Sequence, residues 1–136
     1  MVMGSEAVSR VEAKQSPGQS PGPRPASRPV DLVHLSRYTL GDLALEREVL
    51  ELFCTQAALY LERLNQAHTD RDWKDAAHSL KGSAQAIGAW RAAEAARQAE
   101  ALGGGVLVQL RALHLRGVES AVREAQLYIR KLLKDR

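Results

Sequence analysis

The chain has 136 residues, of which 45% are hydrophobic and only 4% aromatic, and it carries a formal net charge of +3. This size fits one domain, and the alanine- and leucine-rich mix argues for helices against a β-sandwich. The mild basicity is spread along the chain and makes no case for nucleic acid as a partner.

Residues 1–29 read as a disordered tail. The stretch from Ser16 to Pro25 holds four prolines and two glycines and no large apolar residue. Such a segment buries too little surface to offset its ordering entropy. The folded part, residues 30–136, starts with a short helix capped by Asp31, in Asp31-Leu32-Val33-His34-Leu35. A turn follows at Thr39-Leu40-Gly41. Asp42 then reads as the N-cap of a long helix running to about His68. Leu45, Val49, Leu52, Phe53, Leu59, Tyr60 and Leu64 mark its expected core face, and Glu46, Glu48, Glu51, Glu62 and Arg63 its solvent face. Cys54 lies in this apolar pattern, where a small buried or half-buried residue is expected. As the one cysteine in the chain it excludes an intramolecular disulfide and fits a reducing compartment.

Thr69-Asp70-Arg71-Asp72 makes the next turn and cap. A helix from about Asp72 to Ile87 follows and ends at Gly88, a residue suited to the C′ position. A fourth, alanine-rich helix spans Trp90 to Leu102 and is broken by Gly103-Gly104-Gly105. The last runs from about Val106 to Lys134, with Leu110, Leu113, Val118, Ala121, Val122, Ala125, Tyr128, Ile129 and Leu132 as its apolar stripe. Gly117 weakens its continuity. Four amphipathic helices with short connections and no strand signal predict an all-α fold, an antiparallel up-down four-helix bundle with an additional short N-terminal helix. No apolar stretch is long enough to span a bilayer, and the opening residues lack the apolar segment of a signal peptide. A soluble cytoplasmic protein with no membrane association is expected.

One run stands apart: Ala77-His78-Ser79-Leu80-Lys81-Gly82-Ser83-Ala84-Gln85-Ala86-Ile87-Gly88. It places a glycine in a helix interior, at a cost of roughly 1 kcal/mol relative to alanine. His78, Lys81 and Gly82 stand at i, i+3 and i+4 and so share one helix face. That face offers an imidazole, a cation beside it and a bare backbone patch that another molecule can approach closely. An imidazole next to a cation is suited to holding an anion on the ring. His34, His68 and His114 have no such setting. His68 with Asp70 and Asp72 superficially offers metal ligands, but the spacing suits neither a calcium loop nor a zinc site, and no metal is expected. No phosphate loop, nucleophile elbow or zinc-protease helix is present. Trp73 and Trp90 flank the motif helix, with core packing or end-capping as their expected roles.

The motif Ala77-His78-x-x-Lys81-Gly82-Ser83-x-x-x-x-Gly88 resembles the signature of the histidine-containing phosphotransfer (HPt) domain. Gly41-Asp42, Phe53, Asp72-Trp73 and Glu100 fit the same pattern, so the resemblance covers roughly residues 31–104. It implies a phosphocarrier, not an enzyme with its own kinase site. His78 would be the phosphoacceptor through Nε2. Glu100 would reach back to Nδ1, fixing the tautomer that leaves the Nε2 lone pair free. Lys81 would offset the charge of the phosphoryl oxygens. Gly82, with Ser79 and Gln85, would make the docking surface. The implied partners are response-regulator receiver domains and a hybrid histidine kinase, with the Mg²⁺ for transfer held by the receiver and no cofactor in the chain itself. The chain departs from the pattern after Gly88, where the usual core leucines are replaced by Ala92, Ala95 and Ala99. Two further readings stand beside this one. A silent bundle that only binds receivers or kinases would usually lose the histidine or its neighbours. A kinase dimerisation bundle needs helices paired between copies, whereas this chain supplies all four, so a monomer is expected.

Overall fold

A computed structural model describes residues 28–102 and 108–136. These form helices α1 (Leu32–Thr39), α2 (Leu43–Gln66), α3 (Asp70–Ala86), α4 (Trp90–Ala101) and α5 (Val108–Asp135), with no strand among the described residues. The four long helices make the expected bundle. Each packs on the next, α5 closes back on α2, and α1 lies on α2. The expected tail and the glycine break at 103–105 lie outside the described residues.

The starts of α1, α2 and α3 each have a local cause. Asp31 caps α1 by accepting from the His34 N–H at 3.1 Å, and Asp42 caps α2 by accepting from Ala44 and Leu45 at 3.0 and 3.1 Å. The cap of α3 is Thr69, within the expected Thr69–Asp72 turn. Its hydroxyl accepts from the Asp72 N–H at 3.0 Å, and the helix starts two residues earlier than the sequence suggests. Asp70 and Asp72 then sit in the first turn, where carboxylates favour the positive end of the helix dipole. Helix α3 stops at a Schellman turn. Gly88 takes φ +76° and donates to Gln85 O, while Ala89 donates to Ala84 O. A Cβ on Gly88 would stand 2.8 Å from Asp31 Cβ, so the glycine also lets α1 approach this corner. Asp31 N–H donates to Gly88 O at 2.9 Å, and Asp31 Oδ2 accepts from the Trp90 indole at 3.0 Å.

The core face of α2 is rotated from the expected one. Glu46, Leu50, Phe53, Ala57 and Leu64 are buried, while Leu45, Leu52 and Leu59 are 37%, 54% and 44% exposed. Glu46 was expected in solvent. It is buried because Thr39 Oγ1 donates to it at 3.3 Å and Arg136 reaches its other oxygen at 2.8 Å, meeting the condition for burying a charge. Leu45, Leu52 and Leu59 also recur at a helical period, so periodicity alone does not distinguish their row from the buried one. In α5 the buried residues are Val118, Val122, Ala125, Ile129 and Leu133, whereas Leu110 and Leu113 are exposed. Gly117 does not interrupt α5.

The alanines of α4 decide the placement of the motif helix. Ala92, Ala93, Ala96 and Ala99 are all buried. With no bulky side chains between them, α3 and α4 approach closely enough for the buried Trp73 indole to donate to Ala99 O at 2.7 Å. That carbonyl belongs to the last turn of α4, where it also accepts from the Leu102 N–H at 3.2 Å.

Candidate functional site

His78 projects from α3 with 68% of its side chain exposed. Helix periodicity accounts for this: Ala77 and Leu80 on either side of it are buried, so the position between them faces outward. The close α3–α4 approach then brings Glu100 to it. Glu100 Oε2 lies 2.8 Å from His78 Nδ1, and its other oxygen, Oε1, lies 2.8 Å from Lys81 Nζ. One carboxylate thus bridges the imidazole and the lysine. Glu100 and Lys81 are half-buried against the bundle, with side chains 26% and 23% exposed.

The electrostatics of this triad follow from the geometry. The Lys81 ammonium bonded to Glu100 holds its carboxyl below the ordinary value, against the opposing effect of burial, and the His78 ring adds to the lowering. Glu100 is therefore ionised at neutral pH and can only accept hydrogen bonds. It follows that His78 Nδ1 carries the proton and donates to Glu100. In the neutral ring Nε2 then holds the lone pair, on the side of the ring away from the carboxylate. The arrangement is a nucleophilic nitrogen in a fixed tautomer on an exposed surface, with a cation one helical turn away. Lys81 is held by Glu100 beside the ring, not extended into solvent.

The remaining predicted residues fall on the same side of α3. Gly82 is exposed, and a Cβ placed there would meet nothing within 4 Å. Nothing in the packing of the described residues requires glycine at this position. Gln85, two turns from His78, is also exposed. Ser79 is half-buried and lines a groove between α2 and α3 with Arg63, Gln66, Asp72 and Asp75. Leu52 and Leu59 were read as core, yet they stand exposed on the flank of α2 that also carries Arg63. The core face centred on Glu46, Leu50, Phe53 and Ala57 was the signal that would have placed them outside. Trp90 ties the start of α4 to α1, with the His34 ring edge-on at 4.9 Å. Among the described residues no group of acidic, histidine or cysteine side chains could hold a metal ion.

A family model described as the Hpt domain matches residues 48–134. The chain belongs to the Hpt domain family. Among solved structures it is similar to the histidine phosphotransferase ShpA from Caulobacter crescentus, with 33% sequence identity and a TM-score of 0.60, over 78% of this chain and 91% of that one. No curated protein sequence matches it significantly. The Hpt match begins inside α2, after α1 and the first turn of α2. Among the described residues no helix of this Hpt domain is long and apolar enough to cross a membrane.

Proposed function

We propose that this Hpt domain is a phosphorelay carrier that accepts a phosphoryl group on His78 Nε2 from the aspartyl phosphate of one receiver domain and delivers it to another. The observation that carries this reading is the Glu100 bridge between His78 Nδ1 and Lys81. In the forward step the Nε2 lone pair forms a bond to phosphorus in line with the breaking bond between phosphorus and the aspartate oxygen. The receiver leaves as a free carboxylate. No proton need leave the histidine, because Nδ1–H stays on Glu100, whose charge offsets the positive charge that the ring gains. Lys81 stands one turn away to meet the phosphoryl oxygens as they arrive. Mg²⁺ bound by the receiver would neutralise those oxygens from the other side. The return step is the reverse, on a second receiver.

The receiver docks on the surface formed by Gly82 and Gln85 on α3 and by Leu52 and Leu59 on α2. The apolar side chains of α2 supply contact area, and the bare backbone at Gly82 lets the rim of the receiver's site come close to His78. An upstream hybrid kinase would load the first receiver. The domain acts as a cytoplasmic carrier, with no ATP site of its own.

A transfer assay tests this. The domain is mixed with phosphorylated receivers and Mg²⁺, and acid-labile, base-stable phosphate is followed on it. Label is expected on the wild type and none on His78→Gln, whose melting temperature should match the wild type because the ring is two-thirds exposed. Equal labelling of the two proteins would defeat the assignment of His78. Binding of receivers with no labelling at all would favour a silent interaction module.

A further inference from the structure

The two longest helices each carry a leucine row that nothing among the described residues covers. On α2, Leu45, Leu52 and Leu59 are seven residues apart and 37%, 54% and 44% exposed. On α5, Leu113 and Leu127 are 57% and 58% exposed, with the exposed Ser120 midway between them. Three residues after each member of these rows runs a second exposed row. It reads Glu48, Thr55 and Glu62 on α2, and Arg116, Arg123 and Arg130 on α5. Residues three apart are neighbours on a helix surface, and a seven-residue repeat is the period of a two-helix seam. Each helix therefore presents a two-row strip with the same period and the same internal offset but opposite charge. None of the three arginines is ion-paired among the described residues, nor are Glu48 and Glu62.

We propose that α5 of one copy packs in parallel along α2 of a second copy. Leu113 meets Leu45 and Leu127 meets Leu59, while Arg116 meets Glu48 and Arg130 meets Glu62. The middle layers set Ser120 on Leu52 and Arg123 beside Thr55. A shift of one heptad in either direction keeps one leucine pair and one arginine–glutamate pair where this register has two of each, so the register is specified. Packing α5 on α5 or α2 on α2 would oppose like charges. Within one copy Arg130 and Thr55 border a shared groove between α2 and α5, but among the described residues no ion pair joins the two strips there. The contact is heterologous: every added copy leaves one strip of each kind free, and growth continues beyond a dimer unless a ring closes. With two leucine pairs and two ion pairs it is a weak contact, and the monomer is the species at low concentration.

Leu52 and Leu59 also belong to the receiver-docking surface proposed above, so assembly and docking there exclude one another. The test uses no receiver and is independent of that reading. Sedimentation velocity is run on the full chain from about 10 µM to about 1 mM, the range in which weak contacts populate. The weight-average sedimentation coefficient is expected to rise with concentration, and to rise less at high salt, where exposed ion pairs are screened. Arg116→Glu/Arg130→Glu and Glu48→Arg/Glu62→Arg should each stay monomeric across the range. Their equimolar mixture should recover the rise, because the reversed α5 of one then faces the reversed α2 of the other. All these positions are exposed, and circular dichroism checks that both variants are folded. A wild type that stays monomeric at the highest concentration overturns the proposal. So does association that survives either reversal, or a mixture that fails to recover it, which would instead mark the α5 strip for a foreign acidic helix.

Discussion

Gly82 separates what the fold wants from what docking wants. An alanine there would be favoured by the helix by about 1 kcal/mol on intrinsic propensity. Part of that gain comes from the reduced entropy of the unfolded chain, and compatible glycine-to-alanine changes stabilise proteins by about 0.4–1 kcal/mol. No packing effect among the described residues opposes it, because the added Cβ meets none of their atoms within 4 Å. Gly82→Ala is therefore expected to stabilise the isolated domain by about 0.5–1 kcal/mol, which for a domain of this size is a rise in melting temperature of about 2–5 °C. Urea unfolding followed by circular dichroism measures it as a higher midpoint with an unchanged slope. Gly117→Ala is the internal standard. Gly117 is also exposed within a helix with nothing near its Cβ position, so a similar gain is expected, with no effect on phosphoryl transfer. Gly82→Ala should slow transfer from a phosphorylated receiver, and Gly82→Leu should slow it at least about tenfold, the loss of about 1.4 kcal/mol of docking. A destabilised Gly82→Ala would refute the claim that the fold has no use for this glycine. A stabilised variant with unimpaired transfer would refute the docking explanation.

Gly88→Ala has the opposite expectation: alanine at φ +76° with its Cβ 2.8 Å from Asp31 Cβ should cost about 2 kcal/mol or more, from the left-handed strain alone about 1–2, read by the same urea titration. Glu100 carries a pH dependence. Its carboxyl is lowered in the folded state by Lys81 from an ordinary value of 4.5, so its contribution to stability is full at neutral pH and is lost as pH falls through the folded value, below 4.5. Carbon-detected NMR titration of the Glu100 carboxyl should show a midpoint that rises in Lys81→Met; an unmoved midpoint would show that Lys81 is not the cause.

Much of this molecule is legible in one dimension because its rules are local. The caps Asp31 and Asp42, the positive φ at Gly88 and the 3.6-residue period of α3 act within a turn or two of sequence, so helix number, order and type follow from the chain. His78, Lys81 and Gly82 share a face for the same reason, and that face is outward because Trp73, Ala77, Leu80 and Ala84 point inward. Glu100 is different. It belongs to another helix, and only the family resemblance joined it to His78 in advance. The physical cause of their meeting is the run of small residues at Ala92, Ala96 and Ala99, which lets α4 close on α3. The bridge to Lys81 is likewise a tertiary fact, and with it the ionised carboxylate and the ring tautomer.

Where hydrophobicity alone was the guide, the rotation of α2 came out wrong. Leucines at 45, 52 and 59 and the core residues at 46, 50, 53 and 57 both have helical periods, and periodicity cannot say which row finds a neighbour. Burial of Glu46 settled it in favour of the second, because Thr39 and the distant Arg136 converge on that carboxylate. A charge goes inside only when its partners are there to meet it, and partners brought from the far end of the chain exist only once the chain has folded.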